Sequence, residues 1–278
     1  MSCCLLADRA VLRLSGPDVR PFLQGLLTQD MDRLSPETPL YAGLLSPQGK
    51  ALFALFLFAD GDDVLIDVAA GQAGALAARL AMFRLRKQVV IAPEPALVVW
   101  QSWAGASGAP LDPRTPLAGS RHVGPADALP EQTATLEQWH GQRLALGLPD
   151  ADEIGSDELL WLETGARELN GVSFTKGCYT GQENTARMHH RDRLKKRLLP
   201  VHLSGPAGPP GKNGPGTKLM AGDRVAGDLR GRRHGDLQMA LLRVEHLDQP
   251  LTLDSAPAQL LRPAWLSAAT GPGRAGHP

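Results

Sequence analysis

The sequence predicts an α+β chain that ends in a small all-β domain. Two observations carry this. Through residue 92, apolar patterning runs strand, helix, hairpin, strand, helix, strand. That order suits a mixed α+β domain better than a doubly wound parallel sheet. From residue 196 the texture changes to short β-like runs spaced by Gly, Pro and Asp, as in a small barrel or sandwich.

Residues 10–14 alternate apolar and polar like a half-buried strand. Ser15-Gly16-Pro17 opens a helix, with Pro17 near the first helical position, where its missing N–H is harmless. Val19, Phe22, Leu23, Leu26 and Leu27 follow helical spacing and form one apolar stripe. Residues 41–45 and 51–58, separated by Ser46-Pro47-Gln48-Gly49, read as a hairpin. A second turn, Asp60-Gly61-Asp62-Asp63, leads to a strand at 64–68, a helix at 72–86 and a strand at 88–92. Residues 96–103 read as another strand, 104–130 as a Gly- and Pro-rich loop, and 131–146 as a helix closed by Gly147. In the last third, β-like runs fall at 198–203, 223–229, 237–244, 250–253 and 258–262. The stretch 205–216 is too rich in Gly and Pro for regular structure. The expected organisation is a 1–195 region of two lobes (1–95 and 96–195), a β domain at 196–266 and a flexible tail at 267–278.

Composition narrows the function classes. Lys+Arg and Asp+Glu balance at 29 each, so no global field draws nucleic acid or anionic membrane, and any anion recognition is local. The longest apolar stretch, Ala51 to Ala59, is far below the roughly 20 residues that span a bilayer. The opening residues lack a signal-peptide pattern. Three cysteines, two of them adjacent, make no disulfide framework. A reducing cytoplasm is the expected setting, with no membrane contact.

The segment that stands out for chemistry is Gly171 to Arg187, GVSFTKGCYTGQENTAR. Cys178 lies between Gly177 and Tyr179, two residues after Lys176. Glycines at 177 and 181 allow sharp turns or close backbone approach. Beside a lysine and near a helix starting around Gln182, the thiolate would be favoured by local positive charge. The competing reading is a buried, inert cysteine on a tight turn. Ser173-Phe174-Thr175-Lys176 matches the S-x-x-K nucleophile pattern by chance, since no companion motif follows. Gly43 to Ala51 misses the P-loop spacing by one and lacks its hydroxyl. His189 and His190 are adjacent, so a helix points them apart. They read as solvated surface histidines, and no stably bound metal is expected. The basic run Arg187 to Arg197 is a solvated face, or a patch for RNA phosphates or for the carboxylates of an acidic ligand. It has no interleaved aromatic residue, which weakens single-stranded RNA recognition. Trp139 sits in an amphipathic helix, either in the core or free to stack on a flat heterocycle.

KGCYTGQE, Lys176 to Glu183, resembles the signature of the YgfZ family, which includes a mitochondrial iron–sulfur assembly factor. Residues 14–30, 46–58, 83–89, 216–229, 240–245 and 262–266 resemble further segments of it, so the likeness covers most of the chain. The resemblance implies a three-lobed fold shared with glycine-cleavage T protein, with a C-terminal barrel and a tetrahydrofolate-type ligand in a central hole. It implies an accessory role for iron–sulfur enzymes, tRNA-modifying ones included, with iron–sulfur client or assembly proteins as partners. By position, Cys178 corresponds to the family's functional cysteine, and Trp139 to a tryptophan associated with folate. Lys176, Gly177, Tyr179, Gly181, Gln182, Glu183 and Arg187 of the signature segment are the further expected ligand contacts. A second such tryptophan falls near Arg9 here, and the acidic residue of the aminomethyltransferases has no recognisable counterpart. Two alternatives remain: a folate-dependent one-carbon transferase of the T-protein type, and a tRNA-binding module with weak RNA contact through 187–197.

Overall fold

A computed structural model describes residues 1–105, 107–128, 130–191, 194–204 and 216–268. The first of its three sheets aligns β3 (Leu40–Leu45), β4 (Ala51–Asp60), β5 (Asp63–Ala69), β2 (Arg9–Ser15) and β6 (Val90–Pro93), each antiparallel to its neighbour. In the second, β7 (Leu97–Trp103) lies between β1 (Ser2–Leu5) and β8 (Ser120–Pro125). The third is a closed barrel in the order β10 (Lys218–Ala221), β11 (Arg224–His234), β12 (Leu237–Arg243), β9 (Lys196–Leu203), β14 (Ala256–Leu260), β13 (Leu251–Leu253). Met220 opposite Thr252 closes it. The architecture is α+β with a C-terminal six-stranded barrel, and the barrel settles the barrel-or-sandwich alternative.

The first sheet is buried on both faces, which explains why β4 reads as a continuous apolar run instead of alternating. Leu55 and Leu57 of β4 join Leu12, Leu14, Ile66 and Val68 in one core. Two helices close that core: α1 (Val19–Gln24) and α2 (Ala73–Arg84). Phe56 and Phe58 point the other way, with Val11 and Leu65, into a second core shared with Trp139, Trp161 and Tyr41. Each such side chain contributes about 1.5–3 kcal/mol on burial. The barrel encloses its own core around Leu199, Val201, Leu229 and Leu242.

Several elements differ from expectation for identifiable reasons. The helix expected at 131–146 is α3 (Leu136–Ala145), because Thr135 caps it by accepting from the Gln138 N–H while the Gln138 side chain accepts from Thr135 N–H. Gly147 follows it with φ +69°, the left-handed exit that glycine favours. Helix α1 ends at Gln24, yet all five stripe residues are buried. The expected loop at 104–130 contains β8. Its buried residues Ser120 and Arg121 are polar, so no apolar alternation marked it. β1 and the four-residue β10 were too short to register. The predicted loop at 205–216 lies, except for 216, outside the described residues. So does the predicted tail, except for 267 and 268, which complete a short helix, α6 (Ala264–Ala268).

Candidate functional site

Cys178 is exposed at the top of a loop whose two ends are held down. On one side Lys176 is buried, and its Nζ donates to the carbonyl oxygens of Gln24, Leu27 and Gln29 at 2.7, 2.7 and 2.9 Å. An ammonium has three N–H donors, so this set is complete. Burial pulls the Lys176 pKa down to about 8, although Asp30 and Asp32 act in the opposite direction. Upstream, Thr28 Oγ1 and Trp161 Nε1 both donate to Gly171 O, and Gln29 Nε2 donates to Asn170 O. These bonds lace residues 170–176 to residues 24–29, which run from the last residue of α1 into the turn after it, and to Trp161.

The other foot rests on the first hairpin. Gly181 has φ +82°, and a Cβ there would lie 2.5 Å from Ser46 O, so only glycine fits. Asn184 Nδ2 donates to Gln48 O at 2.8 Å. Tyr179 is buried beneath the Lys176 ammonium, 5.3 Å from Nζ to ring centroid, and its hydroxyl is pushed up to about 12 by burial. Helix α5 (Gln182–Arg191) begins after this foot. The competing expectation of a buried thiol does not hold, since Cys178 is exposed.

A cavity of about 670 Å³ lies elsewhere. It is walled by the β2 and β5 ends, α3, the four-residue helix α4 (Ala151–Ile154) and β11 of the barrel. Asp150 caps α4 and also accepts from Arg9 Nη1 at 2.7 Å, so one carboxylate joins helix start to sheet. Burial alone would raise the Asp150 carboxyl, but Arg9, Arg143, Arg114 and Arg121 hold it well below the usual carboxylate range. Behind it Asp67 receives Arg9 Nε at 2.6 Å and Arg121 Nη2 at 2.6 Å. Arg143 grips both oxygens of Glu153 at 2.9 Å each. The guanidinium carbons of Arg9, Arg114 and Arg121 sit 5.5, 4.8 and 4.0 Å from the Phe56 ring centroid. At the cavity rim His140 and His234 stack at 4.7 Å. Arg143 Nε donates to His140 Nδ1 at 3.0 Å, so the Nε2 of a neutral His140 carries the hydrogen facing Asp8, 3.2 Å away. Glu137 holds His234 Nδ1 at 2.8 Å.

The nine sequence-predicted site residues do not converge on this cavity; none of them lines it. Lys176, expected to contact ligand and to charge the loop, is instead a structural pin with no N–H left to offer. Gly177 is not sterically required, because a Cβ there meets nothing within 4 Å. Gln182 opens α5, while Glu183 and Arg187 pair with each other at 2.8 Å on its exposed face. Trp139 is buried against Trp103, 5.5 Å between centroids, and does not line the cavity. His189, expected to be solvated, stacks on Phe174 at 3.7 Å. Of the basic run, Arg197 is engaged with Glu168 at 3.0 Å. Asp192, Arg193 and the Arg191 side chain lie outside the described residues. Sequence reading missed Asp8, His140, Arg143, Asp150, Asp152, Arg232 and His234. The capping-box pattern Asp150-x-x-Glu153 was the one local signal available.

Residues 195–268 match the family description CAF17, C-terminal beta-barrel domain. Over its length the chain is 34% identical to the mitochondrial iron–sulfur cluster assembly factor IBA57 of Mus musculus, covering 94% of this chain and 82% of the relative. It is 34% identical to the Homo sapiens protein of the same name, covering 90% and 80%. Among solved structures it is similar to the glycine cleavage system aminomethyltransferase T from Bartonella henselae. That match has a TM-score of 0.69 and 13% identity, over 95% of this chain and 86% of the other, and it carries the fold alone. These relatives correct the cytoplasmic expectation, for both IBA57 proteins are mitochondrial. Unpaired thiols indicate a reducing environment and carry no information about which membrane encloses it.

Proposed function

Because this chain belongs to the IBA57-type iron–sulfur cluster assembly factors, within the wider YgfZ-related superfamily, we propose that it serves iron–sulfur enzymes through Cys178. The observation that carries the reading is the exposed thiol on a loop fixed at both feet. A thiol presented this way meets a partner without the chain rearranging, so the cost of ordering the loop is met during folding. No group of three or more His, Cys, Asp or Glu that could hold a metal occurs among the described residues. Any iron or sulfide handled by Cys178 is then cargo, with its remaining ligands supplied by an iron–sulfur assembly or client protein, tRNA-modifying enzymes included. Replacing Cys178 by Ser should leave the fold intact and abolish rescue of iron–sulfur enzyme activities in a strain lacking the protein. Full rescue by the Ser variant refutes the reading.

The second element of the proposal is a tetrahydrofolate-type ligand in the 670 Å³ cavity. Its size lies within the range of small-molecule sites. Its donor set also fits. Asp8, Glu137, Asp150 and Asp152 offer acceptors for the N–H-rich edge of a pterin. Arg232, exposed and without an ion pair among the described residues, offers a partner for the glutamate carboxylates. The flat faces available are the imidazoles of His140 and His234 rather than Trp139. Titration with tetrahydrofolate, followed by Trp fluorescence, should saturate for the wild type and weaken at least tenfold for Arg232→Glu. An unchanged signal removes folate from the proposal. A T-protein-type transferase remains the second reading, on the shared fold. It requires turnover of an aminomethyl donor with tetrahydrofolate, and binding without turnover eliminates it.

A further inference from the structure

We propose that the free edge of the first sheet, β6 together with the end of α2, is a docking surface for an acidic, extended segment of a partner protein that adds a strand to the sheet. The sheet has two edges of opposite character. β3 is buried along its whole length, whereas β6 pairs with β2 alone and leaves Val90 61% exposed. Beside Val90, Met82 is 69% and Leu85 86% exposed. Isolated apolar residues on a surface need no explanation, but these nine residues carry three of the eight exposed large apolar side chains among the described residues.

Leu85 adds a second, independent signal. It ends α2 with φ 49° and ψ −116°, a conformation that a branched side chain adopts only under strain. Its side chain gains no packing in exchange. The turn itself is closed by Lys87 N–H to Arg84 O at 2.9 Å and by Gln88 N–H to Asp18 at 2.7 Å, but the exposed Leu85 side chain adds no packing to it, and a partner is what would make use of that display.

Charge defines the partner. Arg84, Arg86 and Lys87 are exposed between Met82 and Val90, and no acid occurs from residue 82 to residue 93. The flanking acids are occupied: Asp18 accepts from Gln88 N–H at 2.7 Å, and Glu94 from Arg13 at 2.7 Å. Arg86 and Lys87 make no ion pair among the described residues. Past the strand, a groove of about 300 Å³ lined by Ala73, Gly74, Ala77, Pro93 and Pro95 is wide enough for an apolar side chain. A nucleic acid or a lipid surface would satisfy the cations but not the unpaired N–H and C=O groups of an edge strand. An acidic peptide of alternating apolar residues satisfies both. The inference is independent of Cys178 and of any folate.

The test uses the full chain, 15N-labelled, and a synthetic peptide acetyl-DVEVDI-amide. Binding should shift the amide signals of residues 82–92 and slow hydrogen exchange in β6, with affinity falling as salt rises. The double variant Arg86→Glu/Lys87→Glu should bind at least tenfold more weakly. Leu85→Gly relieves the strain, so it should fold as well as or better than wild type yet lose at least fivefold in binding. Shifts confined to other regions, equal binding of the lysine-substituted peptide, or full affinity in Leu85→Gly each overturn the proposal. Vesicles containing phosphatidylserine that shift the same amides without peptide would assign the surface to a membrane instead and overturn it equally.

Discussion

The Cys178 loop and the 670 Å³ cavity are held in place by opposite means. The loop is fixed almost entirely by bonds to main-chain carbonyls and by one glycine that no other residue can replace. The cavity wall is fixed by compensated charge, Arg9, Arg121 and Arg143 against Asp67, Asp150 and Glu153, all withdrawn from water or nearly so. Main-chain pinning leaves the displayed side chain free of obligations, which suits the role proposed for the Cys178 thiol. Charge pinning makes every wall residue depend on its neighbours, which suits a rigid socket and tolerates little substitution.

That contrast is open to measurement, beginning where the effect is largest. Asp67→Asn removes the shared anion between Arg9 and Arg121 and should cost about 3–5 kcal/mol in urea unfolding, the cost of breaking a buried pair. A loss below about 1 kcal/mol would show the wall to be less dependent on charge than argued. Lys176→Met strands the carbonyls of Gln24, Leu27 and Gln29 and should cost about 2–4 kcal/mol. It should also remove a pH dependence whose sign is fixed. The folded-state pKa of Lys176 is lowered from 10.5 to about 8. The unfolded chain therefore binds the proton more tightly between those values, and this group makes stability rise with pH across that window. The difference between wild type and Lys176→Met should follow that rise, and a flat difference would refute the assignment. Gly181→Ala should cost about 1–3 kcal/mol, while Gly177→Ala should change stability by less than about 0.5 kcal/mol, separating the required glycine from the permitted one. Smallest of all, Cys178→Ser should leave the urea midpoint within error. A marked loss there would mean that the thiol belongs to the packing after all.

The sequence made the loop legible because its parts are contiguous. Cys178, Gly181 and the start of α5 near Gln182 lie within five residues, and turn chemistry at that spacing is local. Strand β4 and the barrel runs were legible for the same reason, since periodicity over five to ten residues reports burial directly. Strand β8 was not. Its inward residue Arg121 is stable only because Asp67, fifty-four positions earlier, lies across from it at hydrogen-bonding distance. The pairing of β1 with β7 likewise brings Ser2 opposite Trp103, a match no local pattern encodes.

Alone, the chain of amino acids determined the kinds of element, the two-part texture of sheet-rich body and terminal barrel, and the candidacy of one cysteine. Tertiary structure decided what each of those residues does. It turned Lys176 from a ligand contact into a pin, placed Trp139 in the core, and assembled a cavity from residues 8, 140, 150 and 232 that no spacing connects. The physical reason is that propensity and periodicity act over a few residues, whereas the partner that satisfies a buried charge is set by which distant strands the fold brings together.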